Sequence, residues 1–154
     1  MNIADTKRLE TILMVEDEDD HARIIRKALT DQGKLLNEII RVKNGKEALD
    51  YMNREGDFNE DNAPIPGLIL LDIKLPFKDG FDVLSELKSD QRFKHIPVVM
   101  LTTTSNVDDV RKALDNGAND YIVKPVSFSE FTEKVGKLGN YWAFVSDSAL
   151  SKNG

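Results

Sequence analysis

Residues 68–80 read Leu-Ile-Leu-Leu-Asp-Ile-Lys-Leu-Pro-Phe-Lys-Asp-Gly and place Asp72 directly after a run of four apolar residues. Such a run ahead of Pro76 and Gly80 is typical of a strand that is buried on both faces, as in the middle of a parallel sheet. Open α/β sheets bind their ligands at the carboxyl ends of these strands. The sequence therefore predicts a carboxylate that a rigid strand positions within reach of solvent.

Strand and helix patterns alternate on both sides of this segment. Four further strands are predicted at residues 11–15, 39–42, 98–101 and 121–123, and the second is the weakest and is expected at an edge. Helical periodicity fills the intervals, and Ser127 with Glu130 forms a capping box that starts the last helix. Strands that alternate with single helices predict a doubly wound, five-stranded parallel sheet of the α/β class.

The composition is typical of one globular domain, so we expect residues 1–154 to form a single domain with a core at about 10–138. No apolar stretch approaches the ~20 residues of a membrane span, and the N-terminus lacks a secretory apolar region. The absence of cysteine excludes disulfides and thiolate sites. These features favour a cytoplasmic protein with no membrane partner. The net charge of −6 argues weakly against direct binding of nucleic acid.

Parallel strands bring the residues that follow them to one edge of the sheet. That edge collects Glu16, Asp17, Asp72, Thr102 and Lys124. Two like charges ~4 Å apart repel by about 4 kcal/mol at an effective dielectric near 20, so a bound cation is expected. An all-oxygen pocket with few protein ligands suits Mg²⁺.

The same residues suit transfer of a phosphoryl group to Asp72. The carboxylate would be the nucleophile, while the metal and Lys124 neutralise charge on the phosphoryl oxygens. Thr102 would donate a hydrogen bond to one of those oxygens.

The ordered set of motifs resembles the receiver domain of bacterial response regulators and is similar to the single-domain regulators of chemotaxis. The matching segments cover about residues 10–135; they are Ile12-Leu-Met-Val-Glu-Asp17, Leu70-Leu-Asp72-Ile-Lys-Leu-Pro76, Asp79-Gly80, Pro97-Val-Val-Met-Leu-Thr102, Gly117-Ala-Asn-Asp-Tyr121 and Lys124-Pro125. The resemblance implies a flavodoxin-like fold with strand order 2-1-3-4-5. It also implies that the Lys124–Pro125 peptide bond is cis.

The resemblance assigns a role to each residue of the predicted site. It implies Asp72 as phosphoacceptor, with Asp17 and the backbone carbonyl of Lys74 as Mg²⁺ ligands. Glu16, which replaces a more common Asp, would help to hold the metal through water. Thr102 and Lys124 match the phosphate-binding hydroxyl and lysine of the family, and Tyr121 matches its aromatic switch residue.

A narrower resemblance links the chain to the regulators that partner phytochrome-like sensor kinases. It rests on the long loop at about residues 54–67, the short N-terminal extension and the Tyr141-Trp142 region. These resemblances imply a stand-alone regulator that receives phosphoryl from a sensor histidine kinase on Asp72. Because the chain ends without a second domain, we expect its output through a partner protein, dimerisation or onward phosphotransfer.

The last helix carries an apolar stripe with heptad-like spacing, made of Phe128, Phe131, Val135, Leu138, Trp142 and Val145. Its first half is expected to pack on the sheet. If the extension at residues 139–154 continues the helix, Trp142 and Val145 would project beyond the sheet, and we expect them to help form a homodimer. Gly136 and Gly139 weaken this helix by about 1 kcal/mol each relative to Ala.

Other interpretations of these residues remain open at the level of sequence. Asp72 could be a solvated turn residue, and Tyr121 could simply pack at the sheet edge. A phosphatase with an aspartyl nucleophile usually needs a second acid two positions on, where this chain has Lys74. A receiver-like module that is never phosphorylated would lack Asp72, Asp17 or Lys124. We therefore expect a signalling switch that supports its own phosphorylation and dephosphorylation, rather than an enzyme.

Overall fold

The computed structural model describes residues 10–32, 35–103 and 106–138. Five parallel strands form one sheet in the order β2-β1-β3-β4-β5, which confirms the predicted class and strand order. The strands are β1 (Ile12–Val15), β2 (Ile39–Val42), β3 (Leu68–Asp72), β4 (Val98–Thr102) and β5 (Asp120–Val123). The weak second strand lies at an edge, as its pattern indicates.

In the described residues, four α-helices connect the strands and a fifth follows β5. They are α1 (Asp19–Arg26), α2 (Gly45–Asn53), α3 (Gly80–Ser89), α4 (Val107–Asp115) and α5 (Phe128–Gly136), and α1 runs on into a π-helical turn, Lys27–Gln32. The Ser127 side chain caps α5 at its predicted start, because its hydroxyl accepts a hydrogen bond from the Glu130 N–H at 3.1 Å. Asp79 caps α3 in the same way by accepting from the Asp82 N–H at 3.0 Å. The cap lies seven residues after Asp72, and α3 begins at the next residue, Gly80.

The sheet has an apolar core on each face, because successive residues of a strand point to opposite sides. Leu13 and Val15 of β1 pack with α2, α3 and α4, while Ile12 and Met14 pack with α1 and α5. All residues of β1, β3 and β4 are buried. Burial of each large apolar side chain stabilises the fold by about 1.5–3 kcal/mol, so the central strands form a rigid base for the residues that follow them.

The long loop predicted at residues 54–67 is present and is tied to the domain. The Tyr51 hydroxyl donates to the Pro64 carbonyl at 2.7 Å, and the Arg54 Nε–H donates to the Ala63 carbonyl at 3.1 Å. These bonds tie the loop to the end of α2. Because the loop directly precedes β3, it lies at the amino end of that strand, and Asp72 lies at the carboxyl end.

The last helix packs its predicted stripe against the sheet as far as residue 138. Phe131 and Val135 are buried, while Phe128 and Leu138 are partly buried against the same core. The helix ends at Gly136, and residues 137–138 form a turn. The predicted continuation at residues 139–154 and the predicted dimer contacts of Trp142 lie outside the described residues. In the described part of the chain, no helix is long and apolar enough to cross a bilayer.

Candidate functional site

Three strand ends converge on one buried ion-pair cluster. The Lys124 ammonium, just after β5, donates to Asp72 Oδ2 at the end of β3 at 2.7 Å. It also donates to Glu16 Oε1, directly after β1. Glu16 is fully buried, and Asp72 is 6% exposed. The predicted meeting of these residues, which are up to 108 positions apart along the chain, is therefore present in the structure.

The backbone on either side of Lys124 fixes where its side chain begins. The Lys124 N–H donates to the Thr102 carbonyl at 2.7 Å, which ties the end of β5 to the end of β4. The following peptide bond, Lys124–Pro125, is cis, as the resemblance implies. Thr102 is buried and lines the same cleft as Asp72. The hydroxyl-bearing and ammonium-bearing residues are thus placed by adjacent strands.

Burial and hydrogen bonding to Lys124 or to the carboxylates shift the pKa values of Glu16 and Lys124 in opposite directions. Burial raises the pKa of Glu16; the hydrogen bond from Lys124 opposes this change, and the neighbouring Asp72 adds to it. Burial alone would lower the pKa of Lys124, but its hydrogen bonds to Asp72 and Glu16 outweigh burial and raise that pKa. The ammonium therefore stays charged at neutral pH.

The backbone after β3 holds the Asp72 carboxylate from its other side. The Lys74 N–H donates to Asp72 Oδ1 at 3.0 Å, so each carboxylate oxygen has its own donor. The Gly80 N–H donates to the Ile73 carbonyl at 2.9 Å. A Cβ at position 80 would lie 2.2 Å from the Asp72 carbonyl oxygen, so only glycine permits this approach of α3 to β3.

Three carboxylates lie close enough to hold a metal ion together. One oxygen each of Glu16, Asp17 and Asp72 lies within 4.8 Å of the other two. Asp17 and Asp72 line a cleft of about 200 Å³ together with Thr102 and Lys74. One ammonium shared by two carboxylates leaves negative charge uncompensated, and Asp17 adds to it. Oxygen donors with residual negative charge are the ligands that Mg²⁺ and Mn²⁺ prefer, so this donor set fits a hard divalent cation.

Tyr121 lies apart from this cluster. Its ring is partly buried on β5 and lines a separate groove with Val107 and Arg111 of α4. The Lys134 ammonium lies 4.2 Å from the ring centroid and 3.2 Å from Asp120 Oδ1. Tyr121 is thus only three residues before Lys124 in the sequence, but its ring lies on another surface. Its switch role stays a prediction.

Two contacts of the cluster were missed at the level of sequence. His21 places Nδ1 3.1 Å from the Lys124 ammonium. Glu18 has Oε2 2.8 Å from the same Nδ1. The i,i+3 spacing of Glu18 and His21 in the first turn of α1 is the signal that could have paired them, but nothing local connects either residue to Lys124.

Comparison with known sequences assigns the chain to a family. The profile of the response regulator receiver domain matches residues 12–136. The chain is 40% identical over 132 residues to the probable methanogenesis regulatory protein FilR2 of Methanothrix harundinacea, across 85% of this chain and 82% of FilR2. It is 35% identical over 133 residues to the response regulator Rcp1 of Synechocystis sp., across 86% of this chain and 88% of Rcp1.

Solved structures agree with this assignment. The bacteriophytochrome response regulator RtBRR has a TM-score of 0.78 at 41% identity, over 94% of this chain and 90% of RtBRR. The phosphorylated cyanobacterial phytochrome response regulator RcpA has a TM-score of 0.70 at 40% identity, over 87% of this chain and 94% of RcpA. The Mn²⁺-bound form of Rcp1 has a TM-score of 0.69 at 36% identity, over 82% of this chain and 90% of Rcp1.

These matches confirm both the predicted receiver domain and the narrower likeness to phytochrome-associated regulators. Receiver domains are signalling switches of two-component systems and bind a divalent metal. The strand order β2-β1-β3-β4-β5 and the profile match over residues 12–136 both indicate a receiver domain. The chain belongs to the family of response regulator receiver domains.

Proposed function

We propose that the protein accepts a phosphoryl group on Asp72 from a sensor histidine kinase in a Mg²⁺-dependent reaction. The observation that carries this proposal is the buried Asp72 carboxylate, with one oxygen held by the Lys124 ammonium and the other by the Lys74 N–H. The phosphorylated state of the similar RcpA supports it. The likeness to bacteriophytochrome response regulators favours a phytochrome-like kinase as the donor.

In the reaction, an oxygen of the Asp72 carboxylate attacks the phosphorus of a phosphohistidine. A P–O bond forms, the P–N bond breaks, and the electron pair of that bond returns to the imidazole of the kinase, which takes up a proton. The product is an acyl phosphate on Asp72. The fixed carboxylate supplies the in-line positioning on which phosphoryl transfer depends.

The remaining residues of the cleft stabilise charge on the transferred group. Asp17 and Asp72, with the Lys74 carbonyl and Glu16 through water, would hold Mg²⁺, which neutralises charge on the phosphoryl oxygens when it is bound. The Lys124 ammonium turns from Asp72 to a phosphoryl oxygen. The Thr102 hydroxyl donates a hydrogen bond to another phosphoryl oxygen.

Phosphorylation then changes a surface away from the cleft. We infer that Thr102 moves inward with its new hydrogen bond and that Tyr121 fills the space it leaves. To do so, Tyr121 gives up its contact with Lys134, which contributes about 0.5–2 kcal/mol at a partly buried site. The face built by α4, β5 and α5 is remodelled, and this biases a two-state equilibrium.

The altered face transmits the signal through protein contacts. FilR2, Rcp1 and RcpA match this chain over 82%, 88% and 94% of their own lengths, so these relatives are of similar size. An output protein, an onward phosphotransfer protein, or a second copy bound through α5 and residues 139–154 would recognise the remodelled face. Sedimentation of the phosphorylated and unphosphorylated protein measures the last of these; a monomer mass independent of concentration in both states would exclude the dimer.

Labelling with a radioactive small phosphodonor tests the assignment of Asp72. In the presence of Mg²⁺ we expect one acid-stable, alkali-labile phosphoryl group per chain, and Asp72→Asn should abolish it. Asp61→Asn, in the exposed loop before β3, is the matched control and should label like the wild type. Unchanged labelling of the Asp72→Asn variant would falsify the assignment.

A further inference from the structure

Lys124 has a third partner besides its two carboxylates. An ammonium carries three N–H donors, and the hydrogen bonds to Glu16 and Asp72 use two of them. The third can go to His21 when Nδ1 carries no proton, because Nδ1 lies 3.1 Å from Nζ. In that tautomer, one residue of α1 completes the hydrogen bonding of the Lys124 ammonium.

The third contact stabilises the ammonium because the surroundings of Lys124 offer few other hydrogen-bond partners. The Lys124 side chain is only 8% exposed. The cleft on that side, of about 260 Å³, is lined mainly by apolar groups, among them Ile24, Ile25 and Pro125. Because a buried charged donor without a partner is costly, loss of the imidazole nitrogen would leave that N–H dependent on water alone.

Glu18 holds the His21 ring beside Lys124 and also competes for it. Glu18 is the residue before α1, yet its carboxylate does not cap the helix and instead lies 2.8 Å from His21 Nδ1. One ring nitrogen cannot accept a hydrogen bond from Lys124 and donate a hydrogen bond to Glu18 at the same time. The two contacts are therefore alternatives, and each holds the imidazole ring near the Lys124 ammonium.

We propose that His21 is a positioning residue for Lys124, and this inference rests on the role proposed above for Lys124. When phosphoryl reaches Asp72, one N–H of the ammonium turns to a phosphoryl oxygen. Glu16 and His21 then become the two groups that fix its direction. Without His21, the ammonium pivots about Glu16 alone, and stabilisation of the transferred group is weakened.

The ¹⁵N resonance of the Lys124 ammonium tests the contact without any phosphorylation. The signal is assigned by its absence in Lys124→Arg, which keeps the charge. We expect His21→Leu to shift or broaden it, and His21→Asn to restore it, because the Asn amide oxygen occupies about the position of Nδ1. An unchanged signal in His21→Leu would overturn the contact.

The rate of labelling by a small phosphodonor at saturating Mg²⁺ tests the role. Loss of a hydrogen bond to a charged group predicts about a tenfold slower rate for His21→Leu, with recovery in His21→Asn to within about threefold of wild type. His95→Leu, at the exposed second histidine, is the control and should leave the rate unchanged. A rate equal to wild type in His21→Leu, or equal slowing in His21→Asn, would refute the positioning role.

The two measurements separate this inference from the proposed function. A wild-type protein that takes no label refutes phosphorylation of Asp72, and the ammonium resonance then still decides whether His21 anchors Lys124. Normal labelling of the wild type combined with a shifted resonance but an unslowed His21→Leu variant refutes the inference alone.

Discussion

Gly80→Ala should impair both the stability of the domain and the phosphorylation of Asp72. The added Cβ would lie 2.2 Å from the Asp72 carbonyl oxygen and 2.8 Å from the Ile73 Cα, whereas real contacts of this kind are essentially never below 3.0 Å. The backbone of β3 or the start of α3 must therefore move by about 0.8 Å. Strain of this kind costs about 1–3 kcal/mol, and the better helix propensity of Ala offsets up to about 1 kcal/mol.

The displacement acts on the backbone of the phosphoacceptor itself. A misplacement near 1 Å can slow a reaction about 100-fold, so we expect labelling to fall by one to two orders of magnitude. With the full offset the net loss is about 0–2 kcal/mol, so thermal unfolding should show a midpoint lower by up to about 8 °C, given 2–4 °C per kcal/mol for a domain of this size.

Gly136→Ala is the matched control for this prediction. A Cβ at position 136 meets nothing within 4 Å, and the residue is the last of α5. The control should keep wild-type labelling and gain up to about 1 kcal/mol of stability. If Gly80→Ala labels at the wild-type rate, the inference that the Gly80 approach positions Asp72 is wrong, even if the variant is less stable.

Three further perturbations follow from the structure. Burial raises the pKa of Tyr51 to about 12, so its phenol contributes stability below pH 10 that is lost towards pH 12, by about 2.7 kcal/mol. Tyr51→Phe should therefore be less stable than wild type by about 1 kcal/mol at pH 8, because it loses the hydrogen bond to Pro64. Near pH 12 the variant should be more stable than wild type. A stability difference that stays constant with pH in denaturant melts would contradict this. Mg²⁺ should raise the melting temperature of wild type and raise it less in Asp17→Asn; an equal rise in both would remove Asp17 from the metal site. Lys124→Met should lose about 3–5 kcal/mol in urea unfolding at pH 7, because it leaves two buried carboxylates without their cation, and a loss below 1 kcal/mol would contradict that account.

Much of the fold follows from local pattern. The apolar runs at residues 68–71 and 98–101 are too short for helices of their own and too apolar for an exposed strand, so they identify central parallel strands. The second strand carries a weaker signal because, at the sheet edge, it packs on fewer neighbours, and its burial is correspondingly incomplete.

The candidate site was predictable as a set of residues but not as a set of contacts. Parallel strands must bring Glu16, Asp72 and Lys124 to one edge, whatever the details of packing. The partner of each oxygen, however, depends on rotamers and on a few ångströms of backbone placement. Sequence alone could place Glu16 among the metal-holding acids, but not show that it is fully buried and bonded to Lys124.

The alternating elements, the parallel sheet and the group of acids, hydroxyl and lysine at its edge all follow from local patterns in the chain. These features depend on periodicity within an element and on the shared direction of the strands. Three other contacts arise only when the chain is packed: His21 reaches Lys124 from 103 positions away, Lys134 covers Tyr121, and Gly80 touches the backbone of Asp72. Those contacts are set by how far each helix lies from the sheet and how it is rotated about its axis, which result from packing both cores at once.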